Sequence, residues 1–365
     1  MGNKPSSQQQ QERKKIVFYS KEKEVYRIPA LFYANDKQIF MAFAEQRRTA
    51  DDTSSKNLVM KTGTLKIEES SSVRTIEWSE LKLVKEAHLH GYRPMNPCPV
   101  YEKRSKKLFL FFICVEGTVS ECWQRFWGCN KARLCYVTTI DAGQSWSSVT
   151  DLTTKLGEIK NWSTFAVGPG HGLQTESGRL IVPLYAFTSL FRSYALYLYS
   201  DDMGNNWQFS NMLQTKSNEC QMAEVSDGIY CNARSDGGYR VEALDMNTLF
   251  PKTLAETGSG CQGSVVSFPA HGEHLPNKWL LFTHPSDKSS RINLGVYLNK
   301  SPSDPKAWSK PWIINKGPSG YSDLAYIGDG WFACLMERGE QKEIEQIASI
   351  VFSYNEVNQG IVKKK

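Results

Sequence analysis

Apolar residues come along this chain in short bursts, not at helical spacing. Leu108–Val115, Arg179–Leu184, Trp279–Thr283 and Ile347–Ser353 are rich in β-branched, aromatic and Leu residues, and turn-forming Gly, Pro, Asp or Ser bound them. Gln38–Phe43, Arg133–Thr139, Ala195–Ser200 and Leu294–Leu298 have the same character. Such runs predict strands. No long stretch keeps a clean 3.6-residue period, so the chain reads as all-β.

A repeat orders these strands. Ser200-Asp201-Asp202-Met203-Gly204-Asn205-Asn206-Trp207 has a near copy about 60 residues earlier, Thr139-Ile140-Asp141-Ala142-Gly143-Gln144-Ser145-Trp146. Two weaker copies, Ser71 to Trp78 and Ser301 to Trp308, keep only the outer spacing. Asp and Gly suit a tight hairpin turn, with Gly where φ is positive. The Ser or Thr hydroxyl can bond the turn's backbone, and the Trp can pack beneath it. Repeated units of short antiparallel strands fit a β-propeller, and at roughly 50–60 residues per blade the expectation is six blades.

Composition adjusts this picture at the ends. Residues 21–355 show no linker-like shift and are expected to form the propeller. Residues 1–20, with Gln8–Gln11 and Arg13, Lys14 and Lys15, read as a flexible arm, and 356–365 as a basic tail. Met1-Gly2-Asn3-Lys4-Pro5-Ser6 matches the N-myristoylation pattern, which makes Gly2 a lipidation candidate. The neighbouring basic residues would supply the second signal that one acyl chain needs. A net charge of +6 suits an anionic substrate or membrane surface, while nothing resembles a nucleic-acid fold signature. Nine cysteines without a C-x-x-C pair, and no hydrophobic signal sequence, favour reduced thiols on the cytosolic side. The histidines form no metal pattern, and no apolar run is long enough to span a membrane.

Chemistry enters with Tyr26-Arg27-Ile28-Pro29-Ala30-Leu31. Together with the Asp-Gly-Trp repeats, Met95–Pro99, Thr164–His171, Gly260–Phe268 and Gly320–Ala325, it resembles the sialidase (exo-α-neuraminidase) family, above all its membrane-associated, ganglioside-acting type. The resemblance runs to about Phe352. It implies a six-bladed β-propeller with Asp-box repeats and a site at the mouth of its channel.

The resemblance also assigns residues. Arg27, Arg234 and Arg291 match three arginines that clamp the carboxylate of sialic acid, a planar anion that suits guanidinium better than ammonium. Tyr321 matches the nucleophile, and sialidases are a known exception to the two-carboxylate pattern of glycosidases. A phenol with its ordinary pKa near ~10 needs a base, and Glu224 matches it. Asp52 matches the acid/base, with Asp51 adjacent as the alternative. Glu45, Arg47, Asn96, Glu121, Tyr185 and Gln262 match pocket positions, and Phe187 stands where relatives often have Tyr. The Glu116–Lys131 loop carries Trp123, Phe126 and Trp127, which either pack inward or form an apolar patch at the mouth.

The implied activity is retaining exo-α-sialidase, without metal or organic cofactor, on sialylated glycoconjugates, gangliosides favoured over oligosaccharides and glycoproteins. The alternatives are a catalytically inactive sialic-acid-binding propeller and a trans-sialidase. Peripheral attachment to plasma or endosomal membrane is expected, with a cytosolic location as the alternative. No nucleic acid and no obligate protein partner are expected.

Overall fold

The structure, a computed structural model, describes residues 13–68, 73–270 and 277–362. Gly2, Ser71 and Lys363–Lys365 lie outside the described residues.

Five antiparallel sheets follow one another along the chain. The first holds Val25–Ala34, Ile39–Arg47, Ser55–Ile67 and Arg74–Trp78, with Lys82–Leu83 at its side. The second holds Tyr92–Glu102, Lys107–Glu116, Ala132–Thr139 and Thr150–Asp151. The third runs from Thr164–Val167 through Leu180–Ser189 and Arg192–Ser200 to Gln208–Phe209, and the fourth from Cys220–Val225 through Gly228–Ala233 to Val241–Leu244 and Thr248–Leu249. These four are blade-like. The fifth has seven strands: Ser264–Pro269, Lys278–Pro285, Ile292–Asn299, Trp312–Gly328, Trp331–Arg338, Gln346–Ser353 and, from the other end of the chain, Lys15–Tyr19. Within Trp312–Gly328, residues 312–318 pair with Ile292–Asn299 and residues 319–328 with Trp331–Arg338. Every strand run expected from the apolar pattern is present, most of them extended by one to several residues.

One strand from each of four sheets and two from the seven-stranded one stand side by side in a closed circuit. Val25–Ala34 touches Tyr92–Glu102, contacts pass on through Leu180–Ser189, Cys220–Val225 and Ser264–Pro269, and Trp312–Gly328 returns to Val25–Ala34. The arrangement is propeller-like. Apolar clusters fill the spaces between successive sheets: Phe43 and Phe112 between the first and second, Phe111 and Phe165 between the second and third. Another cluster, with Phe268 and Phe352, lies between the two halves of the seven-stranded sheet. Sheets with an apolar face on each side can bury both only by such stacking.

The two good repeats fold alike. Asp141 accepts from Ser145 N at 2.9 Å and Asp202 from Asn206 N at 2.8 Å, while the Thr139 and Ser200 hydroxyls accept from Gly143 N and Gly204 N. These bonds to the ionised form hold both carboxyls down at about 2. Each Trp packs edge-on against the preceding sheet, Trp146 on Phe43 and Trp207 on Phe109 and Phe111. The weaker copies also turn their Trp toward a neighbouring sheet: Trp78 Nε1 donates to Ser349 Oγ, and Trp308 Nε1 donates to Glu242 Oε1 with its ring tilted against Tyr230. Gly204, at φ 88°, is required because a Cβ there would come 2.4 Å from the Phe109 ring. The repeat is thus an inter-sheet fastener.

The expected ends need correction. Lys15–Tyr19 is not arm but the outer strand on Gln346–Ser353, where buried Val17 and Phe18 join the core. Arg13 is buried and ion-paired with Glu356. The tail from 356 is the greater part of a helix, Tyr354–Val362 (α2), held by buried Val357.

Candidate active site

A cavity of about 540 Å³ opens where the inner strands begin. Arg27 stands near the start of Val25–Ala34, Arg93 near the start of Tyr92–Glu102, and Glu219 directly before Cys220–Val225. Tyr321 enters from the bulged middle of Trp312–Gly328. Arg234 and Arg291 come from the loops flanking their strands.

Tyr321 is the centre. Its side chain is buried, and its hydroxyl donates to Glu219 Oε1 at 2.6 Å and accepts from Arg234 Nη1 at 3.1 Å. Arg234 Nη1 also reaches Glu219 Oε2 at 2.8 Å. The Arg27 and Arg291 guanidinium carbons each lie 5.4 Å from the Tyr321 ring centroid. Burial first, and then the Glu219 carboxylate, push the phenol well above its ordinary range, while Arg234 and Arg291 pull it back. A phenol so placed loses its proton only as that proton moves to a carboxylate already in contact with it.

Glu337, which sequence reasoning missed, anchors the clamp. Wholly buried, it accepts from Arg27 Nε at 2.7 Å, Ile28 N at 3.0 Å and Tyr321 N at 3.0 Å. One carboxylate therefore fixes both an arginine and the backbone of the tyrosine. Ile28 sits at φ 61° in the bulge that lets its N–H turn to Glu337, a left-handed geometry rare for a β-branched residue. Arg291 Nη2 donates to Gly260 O at 3.0 Å and retains free donors toward the cavity.

The acid loop separates its two aspartates. Asp51 caps a short 3-10 turn, accepting from Thr53 N at 2.9 Å, and these bonds lower its pKa. Asp52 is desolvated, and burial, then its hydrogen bond with Asp51, raise its carboxyl against the pull of Arg47 and Arg93. Of the pair, Asp52 is the one held toward the protonated form a general acid needs. Arg93, also missed, ties this loop to its neighbour, donating to Asp52 O, Gly117 O and Val119 O at 3.3, 2.7 and 2.6 Å.

The remaining expected residues divide. Arg47, Asn96, Glu121 and Tyr185 line the cavity. Glu45 and Gln262 do not. Glu45 lies behind the wall, taking Arg47 Nε at 2.7 Å and Asn96 N at 2.7 Å. Gln262 is buried and fastens Ser322 through both its N–H and its carbonyl. Glu121 opens the helix Glu121–Trp127 (α1), where burial raises its carboxyl and Arg125 counters. Arg125 lies over Phe187, 4.2 Å from the ring centroid, so the position without a hydroxyl presents a cation–π pair instead.

Glu224 is a correction. It lies at the far end of Cys220–Val225, bonded to Lys278 Nζ at 2.7 Å and lining a separate cavity of about 270 Å³. The carboxylate on the tyrosine is Glu219. The hairpin turn at Ser226-Asp227 carried the signal: pairing outward from Val225↔Gly228 reaches Cys220↔Ala233 and sets Glu219 beside Arg234.

Three fixed guanidinium groups, a phenol bonded to a carboxylate and a raised carboxyl beside them suit a carboxylate-bearing sugar and the cleavage of its glycosidic bond. The described residues hold no cluster of three His, Cys, Asp or Glu arranged for a metal. Residues 38–334 match the BNR repeat-like domain family. Mouse (Mus musculus) Sialidase-3 is 42% identical over 390 residues, covering 91% of this chain and 92% of the relative. Mouse Sialidase-2 is also 42% identical, covering 87% and 90%. The chain belongs to the sialidase family. It is accordingly an exo-α-sialidase. Solved structures agree on the fold. The intramolecular trans-sialidase of Ruminococcus gnavus, in complex with oseltamivir carboxylate, superposes with a TM-score of 0.72 at 17% identity, covering 94% of this chain and 98% of that one. Trypanosoma rangeli sialidase in complex with sialic acid gives 0.69 at 19%, covering 95% and 60%.

Proposed function

We propose that this sialidase is a retaining hydrolase that works through a covalent Tyr321 intermediate and takes gangliosides in preference to glycoproteins. The observation that carries the mechanism is the 2.6 Å bond from the Tyr321 hydroxyl to Glu219 within the arginine cluster. In the first step the Tyr321 oxygen attacks the anomeric carbon, its proton passes to Glu219, and Asp52 protonates the departing glycosidic oxygen. In the second, Asp52 takes a proton from water, the water oxygen attacks the same carbon, and the Tyr321 oxygen leaves and recovers its proton from Glu219. Two inversions give retention. Arg27, Arg234 and Arg291 hold the substrate carboxylate throughout. A neutral phenol avoids setting a carboxylate nucleophile against that anion.

We count the seven-stranded sheet as two blades sharing Trp312–Gly328, which with the other four makes six. The division of pairing within that strand and the core cluster between its halves support the count. The ganglioside preference rests on the resemblance and on the exposed aromatic residues beside the mouth. Acylation of Gly2 together with the adjacent basic residues would add a membrane anchor; incorporation of labelled myristate in cells, absent in Gly2→Ala, tests it.

The mechanism is tested with a 2,3-difluorinated sialosyl fluoride, expected to leave an adduct on the Tyr321 peptide. Rapid turnover with no adduct on Tyr321 would overturn the covalent step. Lactose added as acceptor distinguishes hydrolysis, which releases free sialic acid, from transfer.

A further inference from the structure

The short helix α1 is amphipathic in reverse. Its buried residue is polar: Gln124, 1% exposed, whose carbonyl accepts Lys131 N at 2.7 Å. Its outward residues are Trp123, Phe126 and Trp127, exposed by 41%, 63% and 64%. Those rings pack against one another, Phe126 edge-on to Trp127 at 5.1 Å and Trp123 tilted toward Trp127 at 6.5 Å. Ser120 caps the helix and Gly128, at φ 61°, ends it, so the display is built and held. Beside it the hairpin tip at Phe191 is 69% exposed and is tied to the helix by Arg125 bonding Leu190 O. An apolar group of this size turned outward marks a contact surface, not ordinary surface scatter.

What this surface faces is set by its chemistry and position. Exposed cations border it, with Lys160 lining the groove shared with Phe126 and Trp127, and Arg192 following Phe191. Tryptophan and phenylalanine flanked by Lys and Arg is the composition that settles at the boundary between lipid headgroups and acyl chains. Arg125 lines both this groove and the catalytic cavity, so whatever covers the aromatics lies next to the reacting sugar.

We propose that Trp123, Phe126, Trp127 and Phe191 form an interfacial docking surface that seats the catalytic mouth on an anionic lipid bilayer. This rests on the reading of the enzyme as a ganglioside sialidase and specifies how it reaches a substrate whose sugar stands close above the membrane. No helix among the described residues is long and apolar enough to cross a membrane, and this surface requires none.

The test uses the full chain, expressed without an acyl group, and sedimentation with vesicles of phosphatidylcholine containing phosphatidylserine. Phe126→Ser with Trp127→Ser, and Phe191→Ser alone, should weaken partitioning by about tenfold or more and by a smaller factor, respectively. Both should hydrolyse a soluble fluorogenic sialoside at the wild-type rate, which also shows that they are folded. Their kcat/KM on ganglioside in those vesicles should fall with partitioning. Tryptophan emission of the wild type should be quenched by lipids brominated near the headgroup end of the chain. Unchanged partitioning of the double variant overturns the docking surface, as does wild-type protein that hydrolyses the soluble sialoside but ignores the vesicles. Failure on the soluble sialoside itself would overturn the catalytic reading instead.

Discussion

Tyr321 and Glu219 share a 2.6 Å hydrogen bond across a sequence separation of 102 residues. In the proposed mechanism this bond makes Glu219, and not Glu224, the tyrosine's proton acceptor. Glu219→Gln removes the base and keeps the shape, so kcat should fall by roughly 10²–10⁴-fold. Glu224→Gln, at the other end of the strand, should retain most activity. Tyr321→Phe, which keeps the ring, should fold and lose turnover. Steady-state rates on a fluorogenic sialoside check all three; a dead Glu224→Gln beside an active Glu219→Gln would reverse the assignment.

What was legible follows from what is local. The strands were readable because short apolar runs bounded by turn formers are properties of a few consecutive residues. Arg27, Arg234, Arg291 and Tyr321, which line one cavity, could be singled out because each sits in its own short stretch that carries the family resemblance. Glu219 and Glu337 were not, because their role lies in partners more than a hundred or three hundred residues away along the chain: Tyr321 for the first, Arg27 for the second. Lys15–Tyr19 looked like an arm because its partner strand is Gln346–Ser353, at the opposite end of the chain. Closing a ring of sheets with both termini leaves almost no trace in local composition.

Arg291 is the least encumbered of the three arginines proposed to hold the substrate carboxylate, with one bond to Gly260 O and Glu343 only at 4.0 Å. Its fork is therefore available to the ligand. Arg291→Lys keeps the charge and loses the planar pair of donors, a loss worth roughly 1.5–3 kcal/mol, or about tenfold or more in affinity. Calorimetric titration with an unsaturated sialic-acid analogue measures it. Unchanged affinity would remove Arg291 from the clamp.

Glu337 is wholly buried and Arg27 nearly so, so the pair cannot be opened cheaply. Glu337→Gln strands the Arg27 charge, and about 3–5 kcal/mol of stability should be lost. Burial alone would raise the Glu337 carboxyl, but Arg27 and the two backbone N–H groups hold it below the ordinary range. A lowered carboxyl stabilises the fold above its unfolded value, and that stability disappears as pH falls through the folded one. Denaturant midpoints from pH 7 downward should therefore drop less steeply in Glu337→Gln than in wild type, starting from a lower value. Equal slopes would show that the pair carries no acid sensitivity.

Arg93 offers a test of how the acid is tuned. It is buried, and three of its nitrogens are committed to backbone carbonyls, one of them that of Asp52 itself and two in the turn leading to α1. It therefore positions the acid loop without donating to the Asp52 carboxyl. Its charge nonetheless acts there: burial and Asp51 raise the carboxyl, while Arg47 and then Arg93 lower it. In the proposed mechanism Asp52 is the general acid and works while protonated, so activity should fall as pH rises through its pKa. Removing a cation that lowers this pKa must move that alkaline limb to higher pH. Arg93→Gln should thus show a lower kcat/KM, by about 10–100-fold from the loosened loop, together with an alkaline limb displaced upward. Arg93→Lys keeps the charge but cannot bridge three carbonyls, so its limb should stay near that of wild type while kcat/KM still drops. A purely structural role predicts otherwise: both variants would lose stability and rate, and neither limb would move. The pH profile of kcat/KM on a soluble fluorogenic sialoside, measured beside the melting temperature of each variant, separates the two, and an unmoved limb in Arg93→Gln would confine Arg93 to holding the loops together.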